Sequence, residues 1–242
     1  MTEISCIICV YNEGERVRSI LGAVLDNPAL SEVIVVNDGS VDETEAVLAA
    51  YPQITLISYP VNRGKTYAMA QGIAAAKGEY LMFLDADLEG VEARHIEALA
   101  DPIRRGKANA TISLRSNSLG IYRGLGLDFV SGERVIPAWL VEDAPKIMET
   151  LPRWGAEVFI NERIIAANLR LSVVDWWDVI NVRKHTKVGI VGGILAELKM
   201  IGDAVELVTP LGVVRQHYCL LRQAGRLSWL GKRRRAPVRV AP

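Results

Sequence analysis

Two carboxylates close an apolar run. In GEYLMFLDADLEG, residues 78–90, the strand-like run Tyr80–Leu84 ends on Asp85 and Asp87. Charges at the rim of a core are costly unless they are paired or meet a cation. Residues two apart on a strand share a side, so Asp85 and Asp87 point together and Ala86 points away. Two hard carboxylate oxygens suit Mg2+ or Mn2+, which leave room for water and phosphate oxygens. The plainer alternative is a turn acid plus a cap for a helix beginning near Val91, and a lone D-x-D does not choose between them.

Other chemistry lies nearby. Arg63 and Lys65 stand just before the helix-like stretch KTYAMAQGIAAAKG. Cations at a helix N-terminus oppose the helix dipole. A diphosphate there would meet both cations and the free backbone N–H groups; otherwise the two are solvated loop residues. Asp38 ends the apolar run SEVIVVND, before Gly39. Its carboxylate can accept a hydrogen bond from a base N–H or a ribose hydroxyl, or it can serve as a turn acid while Ser40 caps the next helix.

The elements that must carry these residues alternate. EISCIICVY, SEVIVVND, ITLISYP, EYLMFLDAD and KANATISLRS read as strands. Between them run helical patterns, the first placing Val17, Ile20, Leu21, Val24 and Leu25 at helical spacing. Strands apolar on both faces, separated by helices, make an α/β protein with a mostly parallel sheet flanked by helices. Ligands of such sheets bind beyond the carboxyl ends of the strands. Tyr11-Asn12-Glu13, Asn37-Asp38-Gly39 and Asp85-Ala86-Asp87 should therefore converge on one crevice.

After about residue 115 the rhythm changes. SNSLGIYRGLGLDF reads as a mobile Gly-rich loop, SGERVIPAWLVEDAPKIMETLP as containing a helix before Pro152, and WGAEVFINERIIAANL as a helix. RLSVVDWWDVINV is strand-like, and KVGIVGGILAELKMIGDAVELV helical though weakened by Gly192 and Gly193.

Composition excludes several classes. With 28 basic and 28 acidic residues the formal charge is zero, against the basic excess of a nucleic-acid binder. Three cysteines give no disulfide framework; Cys6 and Cys9 should face opposite sides of one strand, as buried thiols in a reducing compartment. The N-terminus has no signal-peptide pattern, and no apolar run is long enough to span a bilayer.

The ordered set CVYNEGERV, VIVVNDGSVDET and NRGKTYAMAQGIAAAKGEYLMFLDADLE resembles the nucleotide-sugar-binding half of GT-A glycosyltransferases. It is similar to the large family that includes dolichyl-phosphate mannose synthase and other polyprenyl-phosphate glycosyltransferases. The resemblance covers roughly the first ninety residues and implies a GT-A (Rossmann-like) single domain. It further implies that Tyr11 and Glu13 line the base and ribose pocket and that Asp38 binds the base. Lys65 would lie by the diphosphate, Asp85 at the ribose or the water shell of the metal, and Asp87 would bind the metal directly. Thr66 stands where many relatives have glycine.

The second half resembles the family more loosely. DFVSGERVIPAW is similar to the S-G-x-R segment, and RWGAEVFINERI to the G-x-E-x-x-x-N segment, of polyprenyl-phosphate and phosphoglycerate glucosyl-transferring enzymes. This implies an acceptor loop of Ser131, Gly132, Glu133 and Arg134, with Arg134 at an acceptor phosphate or in an ordinary ion pair. Glu157 would be a general base or an acceptor-positioning group, or a favourable acid in a first helical turn. His185, between Lys184 and Lys187, would be a further metal ligand or a solvated loop residue. His95 and His217 read as structural.

The expectation is a metal-dependent hexosyltransferase using Mn2+ or Mg2+, a UDP- or GDP-sugar donor and an acceptor such as a polyprenyl phosphate. Inversion at the anomeric carbon is the default; retention stays open. The donor half runs over residues 1–113, the acceptor half over 114–205 and an amphipathic, basic tail over 206–242. In that tail Leu220, Leu221, Leu227, Trp229 and Leu230 mix with arginines, a pattern for peripheral contact at the cytoplasmic membrane face or for a solvated terminus. A sugar-phosphate nucleotidyltransferase is the rival enzyme, disfavoured because YNEGERV is not a Gly-rich phosphate loop. A non-catalytic nucleotide-sugar sensor or membrane scaffold is the rival of another class.

Overall fold

The structure is a computed structural model that describes residues 2–148, 151, 155–181, 209, 211–227 and 238–239. Strands β1 (Ile4–Val10), β2 (Glu32–Asp38), β3 (Thr55–Tyr59), β4 (Tyr80–Asp85) and β6 (Ala110–Arg115) occupy the five runs expected to be strands. Helices α1 (Gly14–Val24), α2 (Thr44–Ala49), α3 (Lys65–Ala75) and α4 (Ala93–Arg104) fall between them. A two-residue strand β5 (Leu88–Glu89) follows the D-x-D. The later elements are α5 (Gly120–Leu125), β7 (Arg134–Pro137), a 3-10 turn Ala138–Val141, α6 (Ala144–Met148), α7 (Ala156–Ala166), β8 (Leu171–Trp176) and β9 (Ile180–Asn181). Residues 211–223 form a helix, α8, and Val238–Arg239 a short strand, β10.

The main sheet has the order β10-β8-β6-β7-β4-β1-β2-β3. All its pairings are parallel except those of β7, which runs antiparallel between β4 and β6. β1 sits centrally, with Cys6 opposite Val33 of β2 and Met82 of β4. Side-chain alternation splits the core in two. Ile4, Cys6, Ile8 and Val10 pack with α1 and α4 on one face, while Ile7, Ile34 and Val36 pack with α3, α7 and α8 on the other. Each fully buried Ile or Leu contributes roughly 1.5–3 kcal/mol, so both layers hold the strand ends in place.

Cys6 and Cys9 do face opposite layers, and both are free. Burial pushes both thiols well above their ordinary range, which leaves no thiolate for redox work.

The segment read as containing a helix before Pro152 does contain one, α6, and opens as the interior strand β7. Two expectations for the second half need correction. The Gly-rich stretch after residue 115 contains the helix α5, closed by Gly126 in the left-handed region. Leu220 and Leu221, placed on a membrane-facing segment, are 1% and 5% exposed and belong to the core that α8 completes. Trp229, Leu230 and the basic cluster lie outside the described residues, as do His185 and the stretch read as helical from Lys187 to Val208.

Candidate active site

The carboxyl ends of β1, β2 and β4 lie side by side, since those strands are parallel neighbours. Their polar residues therefore share one edge. At the end of β4, Ala86 is buried while Asp85 and Asp87 are both partly exposed, as strand alternation requires.

Lys65, the first residue of α3, sits between two acids. Its Nζ lies 2.6 Å from Asp85 Oδ1 and 2.7 Å from Glu157 Oε1. Glu157 stands in the first turn of α7, so residues 65, 85 and 157 come from three separate elements. Burial pulls the Lys65 ammonium down, but the two carboxylates more than reverse this and hold it above its ordinary range. Burial likewise pushes Asp85 up, yet the Lys65 cation outweighs it and keeps the carboxyl below the usual carboxylate range.

Gly132 explains how closely this cluster packs. A Cβ at that position would stand 2.5 Å from both Asp85 carboxylate oxygens. Only a glycine lets the chain entering β7 pass over Asp85. The neighbours of Gly132 are not aimed at the crevice. Ser131 and Glu133 are fully buried and Arg134 is 1% exposed. Glu133 accepts hydrogen bonds from Ser113 Oγ at 2.7 Å, Ser131 Oγ at 2.6 Å and Arg115 Nη1 at 2.6 Å. Arg134 donates to Asn161 Oδ1 at 2.9 Å and to the Ser131 carbonyl. Its guanidinium is pulled below its ordinary range by burial. Ser131, Glu133 and Arg134, expected in an acceptor loop, are thus turned inward here, on either side of the Gly132 that passes over Asp85.

Asp38 also faces inward. Its Oδ1 accepts from Tyr59 Oη at 2.9 Å and from the Arg63 N–H at 2.7 Å. Its Oδ2 accepts from Asn62 Nδ2 and the Gly64 N–H, both at 2.9 Å. Four donors saturate a carboxylate, so a base would have to displace one of them. Asp38 ties down the loop that delivers Arg63 and Lys65. Gly39 has φ +69°, and a Cβ there would strike Asn62 N and Val61 C at 2.5 Å, so the same loop rests on it. Arg63 stacks over the Tyr67 ring at 3.7 Å. Tyr11 is 45% exposed at the lip. Glu13 pairs with Arg16 at 2.5 Å, and its backbone N–H donates to Thr44 Oγ1 at 3.1 Å.

Sequence reasoning missed two residues. Arg115 ends β6 and pairs with Glu133; its place at a strand end was the available signal. Asn181 on β9 donates from Nδ2 to Asp87 Oδ1 at 2.6 Å. No sequence pattern marks it, because β9 is two residues long.

Among the described residues no group of three or more His, Cys, Asp or Glu side chains is placed to hold a metal ion. Asp85 is occupied by Lys65, which leaves Asp87 as the lip carboxylate. A single hard oxygen ligand fits a cation such as Mg2+, which keeps several waters and takes other ligands from phosphate.

A mostly parallel sheet flanked by helices, with its ionic cluster at the strand carboxyl ends, is the GT-A architecture. The structure of glucosyl-3-phosphoglycerate synthase from Mycobacterium tuberculosis in complex with Mn2+ and uridine-diphosphate-glucose superposes with a TM-score of 0.65 at 20% identity, over 93% of this chain and 79% of that one. The model of the family "Glycosyl transferase family 2" matches residues 5–127. The chain belongs to glycosyl transferase family 2. It is 39% identical over 89 residues to poly-beta-1,6-N-acetyl-D-glucosamine synthase of Staphylococcus epidermidis, covering 35% of this chain and 21% of that protein. It is 35% identical over 97 residues to dolichyl-phosphate beta-glucosyltransferase ALG5A of Trichomonas vaginalis, covering 35% of this chain and 30% of that protein. The chain thus spans less than a third of either relative. The nucleotidyltransferase alternative gains nothing from these matches.

Proposed function

We propose that the protein transfers a hexosyl group from a nucleotide diphosphate sugar to a phosphorylated acceptor, with inversion, using Mn2+ or Mg2+ bound through Asp87. The observation that carries this reading is Lys65 held between Asp85 and Glu157 at the strand carboxyl edge. Lys65 is already matched there by two carboxylates, Asp85 and Glu157, with Asp87 at the lip. A diphosphate entering such an acidic site needs added positive charge. The ion, when bound, neutralises the diphosphate as it leaves.

The chain's own residues do the rest. Asp38 fixes the loop that sets Arg63 and Lys65 beside the diphosphate. Lys65, oriented by two carboxylates, donates to a phosphate oxygen through its remaining N–H. Tyr11 offers an exposed ring for the base and Glu13 borders the ribose. Glu157 orients the acceptor. A phosphate acceptor is already ionised at neutral pH and needs no strong base, which suits a carboxylate whose Oε1 is taken by Lys65. The names of the dolichyl-phosphate and 3-phosphoglycerate relatives support the acceptor class.

A thermal-shift and turnover screen of UDP- and GDP-sugars tests this. One donor with Mn2+ is expected to raise the melting temperature by about 5–10 °C at hundred-fold saturation, since that saturation adds about 2.7 kcal/mol. The same donor should turn over with a polyprenyl phosphate or phosphoglycerate. No metal-dependent turnover with any donor would leave a non-catalytic binding protein.

We also propose peripheral contact with anionic membranes at the cytoplasmic face. What supports it is the exposed stripe Leu211, Val214 and Tyr218 on α8, spaced along one helical face, followed in sequence by Lys232–Arg235. No helix among the described residues is long and apolar enough to cross a membrane. Deleting residues after Gly231 should weaken co-sedimentation with phosphatidylserine vesicles and leave neutral vesicles unbound. Unchanged binding to the acidic vesicles would reject it.

A further inference from the structure

We infer that Asn181 is a positioning residue for the Asp87 carboxylate, an inference that rests on the metal reading proposed above. The backbone between these two residues is closed into a small antiparallel ribbon. Leu88 of β5 pairs with Asn181 of β9, and Glu89 pairs with Ile180. Asn181 therefore stands across from the residue that follows Asp87, and its Nδ2 reaches Asp87 Oδ1 at 2.6 Å.

The ribbon is anchored from three sides. Asn117, beyond the end of β6, grips the Asn181 backbone with both ends of its amide. Its Nδ2 donates to the Asn181 carbonyl at 2.7 Å, and its Oδ1 accepts from the Asn181 N–H at 3.3 Å. Ser116 Oγ donates to the Val179 carbonyl at 2.9 Å. Asp178, at the turn before β9, receives Arg94 Nη2 at 2.5 Å and meets His95 Nε2 at 2.9 Å, both from α4. The helix after the D-x-D thus holds the strand that faces it.

The choice of an amide here has a chemical reason. Asp87 follows the end of β4 and lies in a turn, where a carboxylate rotates unless something holds it. A lysine or arginine at position 181 would hold it, but would place a positive charge where a cation is to bind. A second acid would repel Asp87. An amide N–H directs Oδ1 of Asp87 without changing the charge of the site. Groups that orient a metal ligand in this way typically change affinity by about 10- to 100-fold when removed.

The test measures Mn2+ affinity in the presence of UDP, read from the electron paramagnetic resonance signal of free Mn2+, together with metal-free UDP affinity and melting temperature. Asn181→Ala is expected to raise the Mn2+ dissociation constant by about ten-fold, with metal-free UDP binding unchanged and the fold intact. Asn117→Ala, which loosens the grip on Asn181 from a distance, should weaken Mn2+ in the same direction by less. Should Asn181→Ala fail to fold, that second variant decides. Mn2+ affinity unchanged in both variants while Asp87→Ala loses it would overturn the inference alone. UDP affinity falling in parallel with Mn2+ affinity would also overturn it, because the role would then be structural. Mn2+ affinity equal in wild type and Asp87→Ala would overturn the metal reading, and the inference with it.

Discussion

Replacing Lys65 with methionine is expected to lower the melting temperature by about 6–12 °C at pH 7.5 and to give its site a pH dependence of stability between pH 5 and pH 8 that the wild type lacks. Methionine keeps the stem and removes the charge. Asp85 and Glu157 then face one another across an apolar tip, with side chains only 19% and 8% exposed. Removing one partner of a buried ion pair costs about 3–5 kcal/mol. Lys65 itself is 20% exposed, so the low end applies. At about 2–4 °C per kcal/mol for a chain of this size, that gives the stated shift.

The new pH dependence follows from which state binds more protons. In the wild type Asp85 is held below the usual carboxylate range. Its contribution is present above the unfolded value of about 3.9 and is lost as pH falls through the folded one. Lys65 is raised above its ordinary range. Its contribution is present below about 10.4 and is lost only as pH climbs through the folded value. Between about pH 5 and pH 9 the pair is therefore flat. In the variant the two carboxylates lose the cation between them, and burial and mutual repulsion, opposed only by the more distant Arg115 and Arg134, raise the proton affinity of one of them. The folded state then holds a proton that the unfolded state has released, and acidifying from pH 8 to pH 5 stabilises it. Melting curves of both proteins across that range check this. A deficit that stays constant or widens toward pH 5 would mean that the lysine does not compensate the two acids.

How much of this could be read beforehand differs between the halves. In the first, β1, β2 and β4 announce themselves as apolar β-branched runs, and a parallel sheet has only one edge at which to collect their polar ends. Asp85, Asp87 and Lys65 were visible there for that reason. Their pairing with Glu157 was not. It depends on α7 approaching α3 across 92 positions, and no local periodicity encodes such a distance. In the second half β7 hides as RVIP, four residues that open on a charge and close on a proline. Its strand state comes from β4 and β6 on either side, a tertiary cause that overrides local pattern. Glu133 and Arg134 read as acceptor-side groups because DFVSGERVIPAW resembles the S-G-x-R segment of the family. Here Glu133 meets three donors inside the protein, and Arg134 donates to a carbonyl and an amide while its Nε has no partner among the described residues. Asp38 has the spacing of a ligand-binding acid, and its internal partners, Tyr59 and the loop 62–64, could not be read from that spacing.

Asp87→Ala is the substitution expected to cost the most activity. Transfer in saturating Mn2+ should fall by about 10³-fold, a loss of roughly 4 kcal/mol in transition-state stabilisation. The melting temperature should move by no more than about 4 °C, since the acid is partly exposed at a turn rather than in the core. The separation between the two effects is the content of the prediction. Asp85, two residues away, cannot substitute as the metal's ligand, because its Oδ1 is 2.6 Å from Lys65 Nζ and Gly132 presses on both of its oxygens. Freeing it would break the ion pair whose loss destabilises the Lys65 variant. On the proposed function the two acids of the D-x-D divide the work: Asp85 balances Lys65 and Asp87 takes the ion. Steady-state transfer measured from 0.1 to 10 mM Mn2+ distinguishes weakened binding from lost chemistry. A rate restored by high Mn2+ would place the ion on other ligands. Activity within ten-fold of wild type throughout that range would remove Asp87 from the reaction.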